Sequence, residues 1–162
     1  MTTDNYNFET GMYRPPSEGG SSSLLVRFTR NCPWNFCTFC SMYKTKKFQR
    51  RTLAEIISDI DAMAALVNDL QAPEGHISRE SILGLLGRFP HLNAHQGMDM
   101  LIGWLLSGGK TAFLQDGNSL IIPPPDLIQA LKHLKTTFPS INRVTTYARA
   151  KTVAQRSLED LQ

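Results

Sequence analysis

Residues 24–40 read LLVRFTRNCPWNFCTFC, a short apolar run that leads directly into three clustered cysteines. The run itself, residues 24–29, is rich in apolar and β-branched residues, which is typical of a buried strand. Cys32, Cys37 and Cys40 follow it with the spacing C-x4-C-x2-C, and they are the three cysteines of the chain. An odd, tightly clustered set is a poor disulfide framework and a good set of metal ligands. The sequence therefore predicts a strand that ends at a metal-binding loop.

Length and composition place this loop in an ordinary globular chain. The chain has 162 residues, 41% of them hydrophobic and 19% charged, which corresponds to about one domain. A complete eight-stranded α/β barrel needs about 250 residues, so this sequence is too short for one. The net charge of +3 is too small to indicate a class of partner. No apolar run approaches the roughly 20 residues of a membrane helix, and no secretory signal opens the sequence. We therefore expect no membrane association and a cytoplasmic protein with reduced thiols.

Helix and strand patterns alternate after the cysteines. Residues 1–23 are polar and irregular, and we expect them to form an N-terminal extension. Thr52 and Glu55 form a capping box, behind which apolar residues recur at helical spacing. A second capping-box pattern at Thr152 predicts a helix that runs to Gln162. The remaining segments have the patterns of helices (82–89, 98–106 and 126–138) or of strands (111–114 and 143–147).

This alternation is typical of a parallel sheet with helical crossovers. We therefore expect an α/β fold in which residues 24–162 form one domain. Residues 71–109 are expected to be a helical insertion between the first helix and the second strand. A sheet of three strands would leave an open edge that needs covering.

The three cysteines admit more than one chemistry. Three thiolates can hold three irons of a cubic 4Fe–4S cluster and leave the fourth iron open to a substrate or cofactor. Zinc also binds Cys-x2-Cys pairs, but a structural zinc site takes four ligands, and the fourth would be a distant histidine such as His76 or His95. A third interpretation is that the thiols are small buried residues without a metal. Spacing alone leaves all three open, whereas the position of the loop after a parallel strand favours the cluster.

Three segments together resemble the radical S-adenosylmethionine (radical SAM) superfamily: RPPSEGGSSSLLVRFTRNCPWNFCTFCSMY (14–43), FLQDGNSLI (113–121) and RVTTYARA (143–150). The resemblance is closest to a subgroup with four residues, instead of three, in the first gap between cysteines. It covers residues 14–162, and the cysteine loop is its most specific part. It implies that Cys32, Cys37 and Cys40 are the cluster ligands.

The resemblance also implies a set of cofactor-binding residues. Phe39 matches an aromatic position near the adenine of SAM, and the turn after the second strand matches the Gly-rich SAM-binding turn. That turn is Asp-Gly-Asn-Ser, where most members have Gly-Gly-Glu, so the role of its acidic side chain is open. Tyr147 and Arg149 follow a strand on the same face of the sheet, where they either line the cofactor site or serve as packing and a solvated charge. The cofactor-binding set is Phe39, Asp116, Gly117, Asn118, Ser119, Tyr147 and Arg149.

The chemistry that the resemblance implies is reductive cleavage of SAM to methionine and a 5′-deoxyadenosyl radical. The electron would come from a reduced donor of the flavodoxin or ferredoxin type, and the substrate is not readable from the sequence. The later strands of the family are absent from this sequence. We therefore expect a partial TIM-like barrel of about three βα units, a fragment or truncated product, whose activity depends on another chain that completes the barrel.

A basic run follows the cysteines and supports a different function. It contains Phe48 among five cations: Lys44, Lys46, Lys47, Arg50 and Arg51. Such a run is either a solvated loop that leads to the capped helix or a patch for nucleic acid. The alternatives to a radical SAM protein are therefore a zinc-stabilised binding module and a nucleic-acid-binding or RNA-modifying protein.

Overall fold

The computed structural model describes residues 6–11, 22–71 and 77–161, with only the backbone of Gln96. The strands are β1 (Ser23–Arg27), β2 (Thr29–Arg30), β3 (Gln49–Arg50), β4 (Thr111–Gln115) and β5 (Arg143–Thr146). The helices are α1 (Leu53–Leu70), α2 (Arg79–Arg88), α3 (Gln96–Leu106), α4 (Pro124–Thr137) and α5 (Ala150–Ala154). Short 3₁₀ turns lie at Pro90–Ala94, Ser119–Ile121 and Glu159–Leu161. None of the helices in the described part of the chain is both long and apolar enough to cross a membrane.

The main sheet is parallel and has the strand order β1-β4-β5. Ser23 is opposite Thr111, and Thr111 is opposite Arg143, so all three strands point the same way. Parallel neighbours need crossover connections, which helices α1 to α4 supply. The predicted α/β fold with a parallel sheet and crossover helices is confirmed. Its consequence for function is that the three strands end at one edge, where the cysteine loop begins.

The core lies between the sheet and the helices. Leu24, Leu25 and Val26 of β1 are fully buried, as an apolar run without alternation predicts for a parallel strand covered on both faces. Helix α1 packs its apolar stripe onto this sheet and lies beside α4. Trp104 is buried with them and donates its indole N–H to the Thr111 carbonyl at 2.9 Å.

Helix α3 protects the outer edge of β1. The backbone N–H of Leu25 points away from β4 and contacts the Met100 sulfur at 3.4 Å. An unpaired strand edge is a liability, and a helix laid along it is one remedy. The predicted insertion at residues 71–109 contains α2, one 3₁₀ turn and this helix. On the opposite side of the sheet, β5 is half-exposed.

Two segment boundaries differ from the sequence prediction. The predicted strand at residues 24–29 divides: β1 ends at Arg27, and β2 leaves the main sheet to pair with β3. The predicted C-terminal helix is wrong, because α5 begins at Ala150 and ends at Ala154. Thr152 is not its cap, since its hydroxyl oxygen accepts a hydrogen bond from the Asn118 amide at 2.9 Å.

The described part of the predicted N-terminal extension, residues 6–11, is packed onto the domain. Phe8 is buried in the core, and the Glu9 N–H donates to the Asp59 carboxylate at 3.1 Å. Gly11 pairs with the side chain of Gln115, donating to its Oε1 at 2.7 Å and accepting from its Nε2 at 3.2 Å. Residues 1–5 and 12–21 of the predicted extension lie outside the described residues, and its last residue, Ser23, is the first residue of β1.

Position 11 has no room for a side chain. A Cβ placed there would lie 2.1 Å from the Oδ1 atom of Asp116. Only glycine allows the backbone to approach a neighbouring carboxylate this closely. The segment of residues 6–11 is therefore fitted directly against the turn that follows β4.

A carboxylate at the start of α1 makes the stability of the fold depend on pH in the acid range. The predicted capping box is present: Glu55 Oε2 accepts from the Thr52 N–H at 2.8 Å, and the Thr52 hydroxyl accepts from the Glu55 N–H. Arg30 Nη2 also donates to Glu55 Oε1 at 2.8 Å. The hydrogen bond from the Thr52 backbone, followed by that from Arg30, lowers the pKa of Glu55 from its usual 4.5 to about 2.

Because the folded pKa is lowered, the ionised Glu55 stabilises the folded state above about pH 4.5 and loses this effect as the pH falls toward 2. We expect Glu55→Gln to flatten the fall in the urea midpoint across this range. Glu80→Gln, at an exposed acid in the first turn of α2, is the matched control and should leave the fall unchanged. Parallel acid profiles for Glu55→Gln and wild type would contradict the expectation.

Candidate metal and cofactor site

The cysteine loop is held at its base by a short antiparallel ribbon. Strands β2 and β3 pair Thr29 with Arg50 and Arg30 with Gln49. Just beyond the ribbon, the Asn31 side-chain amide donates to the Lys47 carbonyl at 2.7 Å. The loop is therefore closed at its neck, directly above the carboxyl end of β1, where α/β proteins place their sites.

The three cysteines lie in this loop as free, partly exposed thiols. The Cys40 N–H donates to the Cys37 carbonyl at 3.3 Å, which makes a tight turn of the C-x2-C segment. Lys44 Nζ fixes the turn by donating to the carbonyls of Asn35 and Cys37 at 3.0 and 2.9 Å. Within residues 6–11, 22–71 and 77–161, no three His, Cys, Asp or Glu side chains are grouped closely enough to hold a metal ion. The three thiols thus lie in one loop, but in this structure they are not grouped around a common centre.

The turn after β4 lies directly against this loop. A Cβ on Gly117 would lie 3.7 Å from both Cβ and Sγ of Cys32, and 3.9 Å from Cε2 of Tyr43. These are ordinary contact distances, so glycine leaves a small space between the thiol and the tyrosine ring. The sequence places Gly117 and Cys32 far apart, and the parallel pairing of β1 with β4 brings them together.

Asp116 binds the turn to the first residues of the cysteine loop. Its carboxylate is fully buried, and its Oδ2 accepts from Arg27 Nη2 at 2.9 Å and from the Asn31 N–H at 2.7 Å. Its own N–H donates to the Thr29 hydroxyl at 3.2 Å. The acidic side chain of the turn therefore has a structural partner. Glu9 lies on the outer side of Arg27, with its Oε2 3.3 Å from Nη1.

The other polar side chains of the turn also point into the protein. The amide of Asn118 donates to the Thr152 hydroxyl at 2.9 Å and its oxygen accepts from the Arg149 N–H at 3.2 Å. The Ser119 hydroxyl donates to the carbonyls of Leu114 and Gln115 at 3.1 and 3.2 Å. Because these side chains are engaged, the turn offers a ligand its backbone rather than its side chains.

The segment after β5 approaches the same loop. The Arg149 guanidinium lies over the Trp34 ring, with 4.5 Å between its central carbon and the ring centroid, in cation–π geometry. Tyr147 packs edge-on against Phe113 and stays 37% exposed. Phe39 is 90% exposed, the largest exposure among the exposed apolar side chains of the described chain. The loop, the turn after β4 and Arg149 are thus brought together, whereas Phe39 lies out in solvent.

The histidines considered as a fourth zinc ligand are placed elsewhere or not described. His95 caps the N-terminus of α3: its Nδ1 accepts from the Gly97 N–H at 3.1 Å and its ring packs on Phe8. Burial lowers the pKa of His95 below its usual range. His76 lies outside the described residues. The described residues bring no histidine into a group with the thiols.

The basic run is not uniform. Arg51 is buried, forms an ion pair with Asp59 and donates to the Arg27 carbonyl at 2.9 Å, so it does not belong to a surface patch. The other four cations, Lys44, Lys46, Lys47 and Arg50, are exposed. The predicted patch is therefore one cation smaller than the sequence suggests.

Three residues of this site escaped the sequence analysis. Arg27 is a charged residue at the end of an apolar strand. This local signal could have identified it, because such positions line the sites of α/β proteins. Tyr43 and Trp34 carry no local signal, because their importance depends on the turn after β4 and on Arg149. Tyr43 is 7% exposed, and burial, followed by the Asp116 carboxylate, raises its pKa above the usual range.

Comparison with protein-family models, with curated proteins and with solved structures finds no match to this chain.

Proposed function

We propose that this chain is a radical SAM protein that binds a 4Fe–4S cluster through Cys32, Cys37 and Cys40 and binds SAM beside it. The observation that carries the proposal is the meeting of three segments at one edge of the parallel sheet. The cysteine loop follows β1, the Gly117 turn follows β4, and Arg149 follows β5. The carboxyl ends of parallel strands are where α/β proteins bind their ligands, and these three strands are neighbours in the sheet.

The donor chemistry of the loop suits a sulfur-ligated metal group, around which the three thiols would have to close. Three free thiols in one loop are soft ligands, which suit iron–sulfur clusters and zinc. Two buried polar atoms next to them, the Tyr43 hydroxyl and Asp116 Oδ1, have no hydrogen-bond partner within the described chain. Such atoms in a native site call for a bound group or water. Gly117 adds the space beside Cys32 that a side chain would fill.

Held by Cys32, Cys37 and Cys40, a reduced cluster would supply the one electron needed for reductive cleavage of SAM to methionine and a 5′-deoxyadenosyl radical, and a flavodoxin- or ferredoxin-type donor would provide that electron. The chain's own residues position the reactants. Backbone groups of Gly117 and Asn118 would hold the methionine ammonium of SAM, because the Asn118 side chain is occupied with Thr152 and the Arg149 N–H. Tyr147 and Arg149 would line the adenosine side of the pocket, and the resemblance adds Phe39, which is exposed to solvent in this structure.

The fold part of the proposal is a partial TIM-like barrel. The sheet β1-β4-β5 supplies three parallel strands whose carboxyl ends carry the site, as barrel strands do. Among the described strands, β5 pairs with β4 alone, and its half-exposed outer side is where a further parallel strand would add. Further strands, from this protein or from another chain, would complete the substrate pocket.

The test is anaerobic reconstitution of the purified chain with ferrous iron and sulfide. We expect about four irons and four sulfides per chain, with the broad visible absorbance of a cubic cluster. After reduction, incubation with SAM should release 5′-deoxyadenosine, measured by chromatography. Uptake of one zinc per chain without iron and sulfide would overturn the proposal in favour of the zinc-stabilised module. Cluster uptake without SAM cleavage would support cluster binding and contradict the proposed activity.

A second candidate function, binding of single-stranded RNA, is favoured by the surface of the same loop. Residues 31–50 contain four exposed cations, Lys44, Lys46, Lys47 and Arg50, and none of the 14 Asp and Glu residues of the chain. Trp34 and Phe36 of the same segment are 46% and 75% exposed. Aromatic side chains on which bases stack, set among cations, are what sequence-tolerant single-strand binding requires.

This candidate makes a salt-dependent prediction. Binding of a fluorescent single-stranded RNA should weaken as salt rises, because each phosphate contact releases counterions. Phe36→Ala should weaken binding by about tenfold or more, given the typical contribution of one stacked base. Leu83→Ala, at an exposed apolar residue of α2, is the control and should change nothing. The absence of binding at low salt would remove this candidate.

A further inference from the structure

Tyr43 is a buried hydroxyl donor with nothing to donate to within the described chain. It lies three residues after Cys40, and its side chain is almost completely buried. Its hydroxyl makes no hydrogen bond to any described residue. A buried hydroxyl without a partner destabilises the folded state, so a native structure that keeps one calls for a reason.

The surroundings of the ring show where the hydroxyl lies. Cε2 of Tyr43 and Sγ of Cys32 both come within 4 Å of the point where a Gly117 Cβ would stand. Cε2 is bonded to the carbon that carries the hydroxyl, so the hydroxyl end of the ring is the end beside the cysteine loop. Burial and then the Asp116 carboxylate raise the pKa of the hydroxyl, and Arg27 lowers it by less. The group therefore keeps its proton and is a donor at neutral pH.

We propose that the Tyr43 hydroxyl donates a hydrogen bond to a sulfur of the metal centre in the cysteine loop and thereby raises its reduction potential. The proposal rests on the proposed function, because it needs a cluster with sulfur acceptors beside Tyr43. Hydrogen bonds to cluster sulfurs stabilise the reduced, more negative state and are among the factors that set the potential. Tyr43 is on this account a positioning residue, since it acts through the cluster and not on a substrate.

A purely structural role would lead to a different result. Asp116 Oδ1 is another buried atom without a partner, and the alternative is that Tyr43 donates to this carboxylate. In that case removal of the hydroxyl would destabilise the metal-free chain. If the hydroxyl is instead reserved for a sulfur, the metal-free chain loses nothing when the hydroxyl is removed.

The experiment compares Tyr43→Phe with wild type, both reconstituted anaerobically and titrated with redox dyes while the cluster spectrum is recorded. We expect unchanged iron and sulfide content and a midpoint potential lower by about 59 mV, which is a tenfold smaller ratio of reduced to oxidised cluster for a one-electron couple. Tyr6→Phe removes a distant hydroxyl that donates to Asp69, and it should leave the potential unchanged. Urea unfolding of metal-free Tyr43→Phe should show stability equal to or above that of wild type.

Several results would overturn the proposal. An unchanged potential in fully loaded Tyr43→Phe contradicts it, and a loss of metal-free stability with an unchanged potential assigns the hydroxyl to Asp116. If Tyr43→Phe does not fold, resonance Raman spectra of the loaded wild type decide: iron–sulfur stretches that do not shift between H₂O and D₂O contradict the proposal. The metal content of wild type is measured first. If wild type takes up no cluster, the proposed function fails together with this inference, whereas a loaded wild type isolates the inference.

Discussion

Simultaneous replacement of Cys32, Cys37 and Cys40 by alanine is expected to abolish uptake of iron and sulfide while the chain still folds. The thiols are partly exposed, and the contacts that hold the loop come from other groups: the β2–β3 ribbon, the Asn31 amide and Lys44 Nζ. Removing three sulfurs therefore leaves the scaffold in place and removes the three thiols that would hold the cluster. Iron, sulfide and zinc analysis of wild type and variant, with far-UV circular dichroism, measures both effects.

The matched control for the cysteines lies in the same loop. Thr38 and Ser41 are exposed polar residues next to the ligands, and their double alanine variant should bind as much iron and sulfide as wild type. Equal iron uptake by the triple cysteine variant and wild type would mean that iron binds elsewhere. Misfolding of the triple variant without any metal present would instead show that the thiols are packing residues, the third interpretation of the sequence.

Replacement of Asp116 by alanine is expected to lower the free energy of unfolding by about 3 kcal/mol or more. Its carboxylate is fully buried against Arg27, and removal of one partner of a buried ion pair typically costs about 3–5 kcal/mol. The Asn31 N–H would lose its acceptor as well. Arg27 keeps its contact with Glu9, which places the expected loss toward the lower end of that range. Urea unfolding of the metal-free chain measures the difference.

The comparison for Asp116 is Asp99→Ala, at an exposed acid in the first turn of α3. That substitution removes the same charge from the surface, and we expect it to cost less than about 1 kcal/mol. If Asp116→Ala costs no more than Asp99→Ala, the buried pair does not hold the turn. A second consequence is independent of stability: with the turn released from Asn31, iron uptake by the cysteine loop should also fall.

The sequence was sufficient for features whose cause is local. The capping box at Thr52 and Glu55 and the apolar stripe behind it predicted α1, because both depend on residues within one or two helical turns. The parallel sheet also followed from the alternation of patterns. The C-terminal helix was wrong because Thr152 has a competing partner, Asn118, which the sequence places far away.

The sequence predicted several residues that belong to the site, but it did not predict the contacts between them. The cysteine spacing identified the loop, and the resemblance identified the turn that contains Gly117 as its neighbour. Arg27 and Tyr43 were not found, because the turn that they contact follows a strand brought beside them only by the fold: Arg27 and Asp116 are 89 residues apart. Nothing near Tyr43 in sequence shows that its hydroxyl would be buried without a partner. The burial of a polar group is set by tertiary packing, which a local pattern does not contain.

The close approach of Gly11 to Asp116 links, in evolutionary terms, two positions that lie far apart in the sequence. A side chain at position 11 would occupy the space of the Asp116 carboxylate, since its Cβ alone would come within 2.1 Å of Oδ1. We therefore expect related sequences that lose this glycine to carry a smaller or differently oriented residue at position 116. Substitutions at the two positions should be tolerated together more readily than either alone. We therefore expect position 11 to be under the same selection as the turn that carries Asp116.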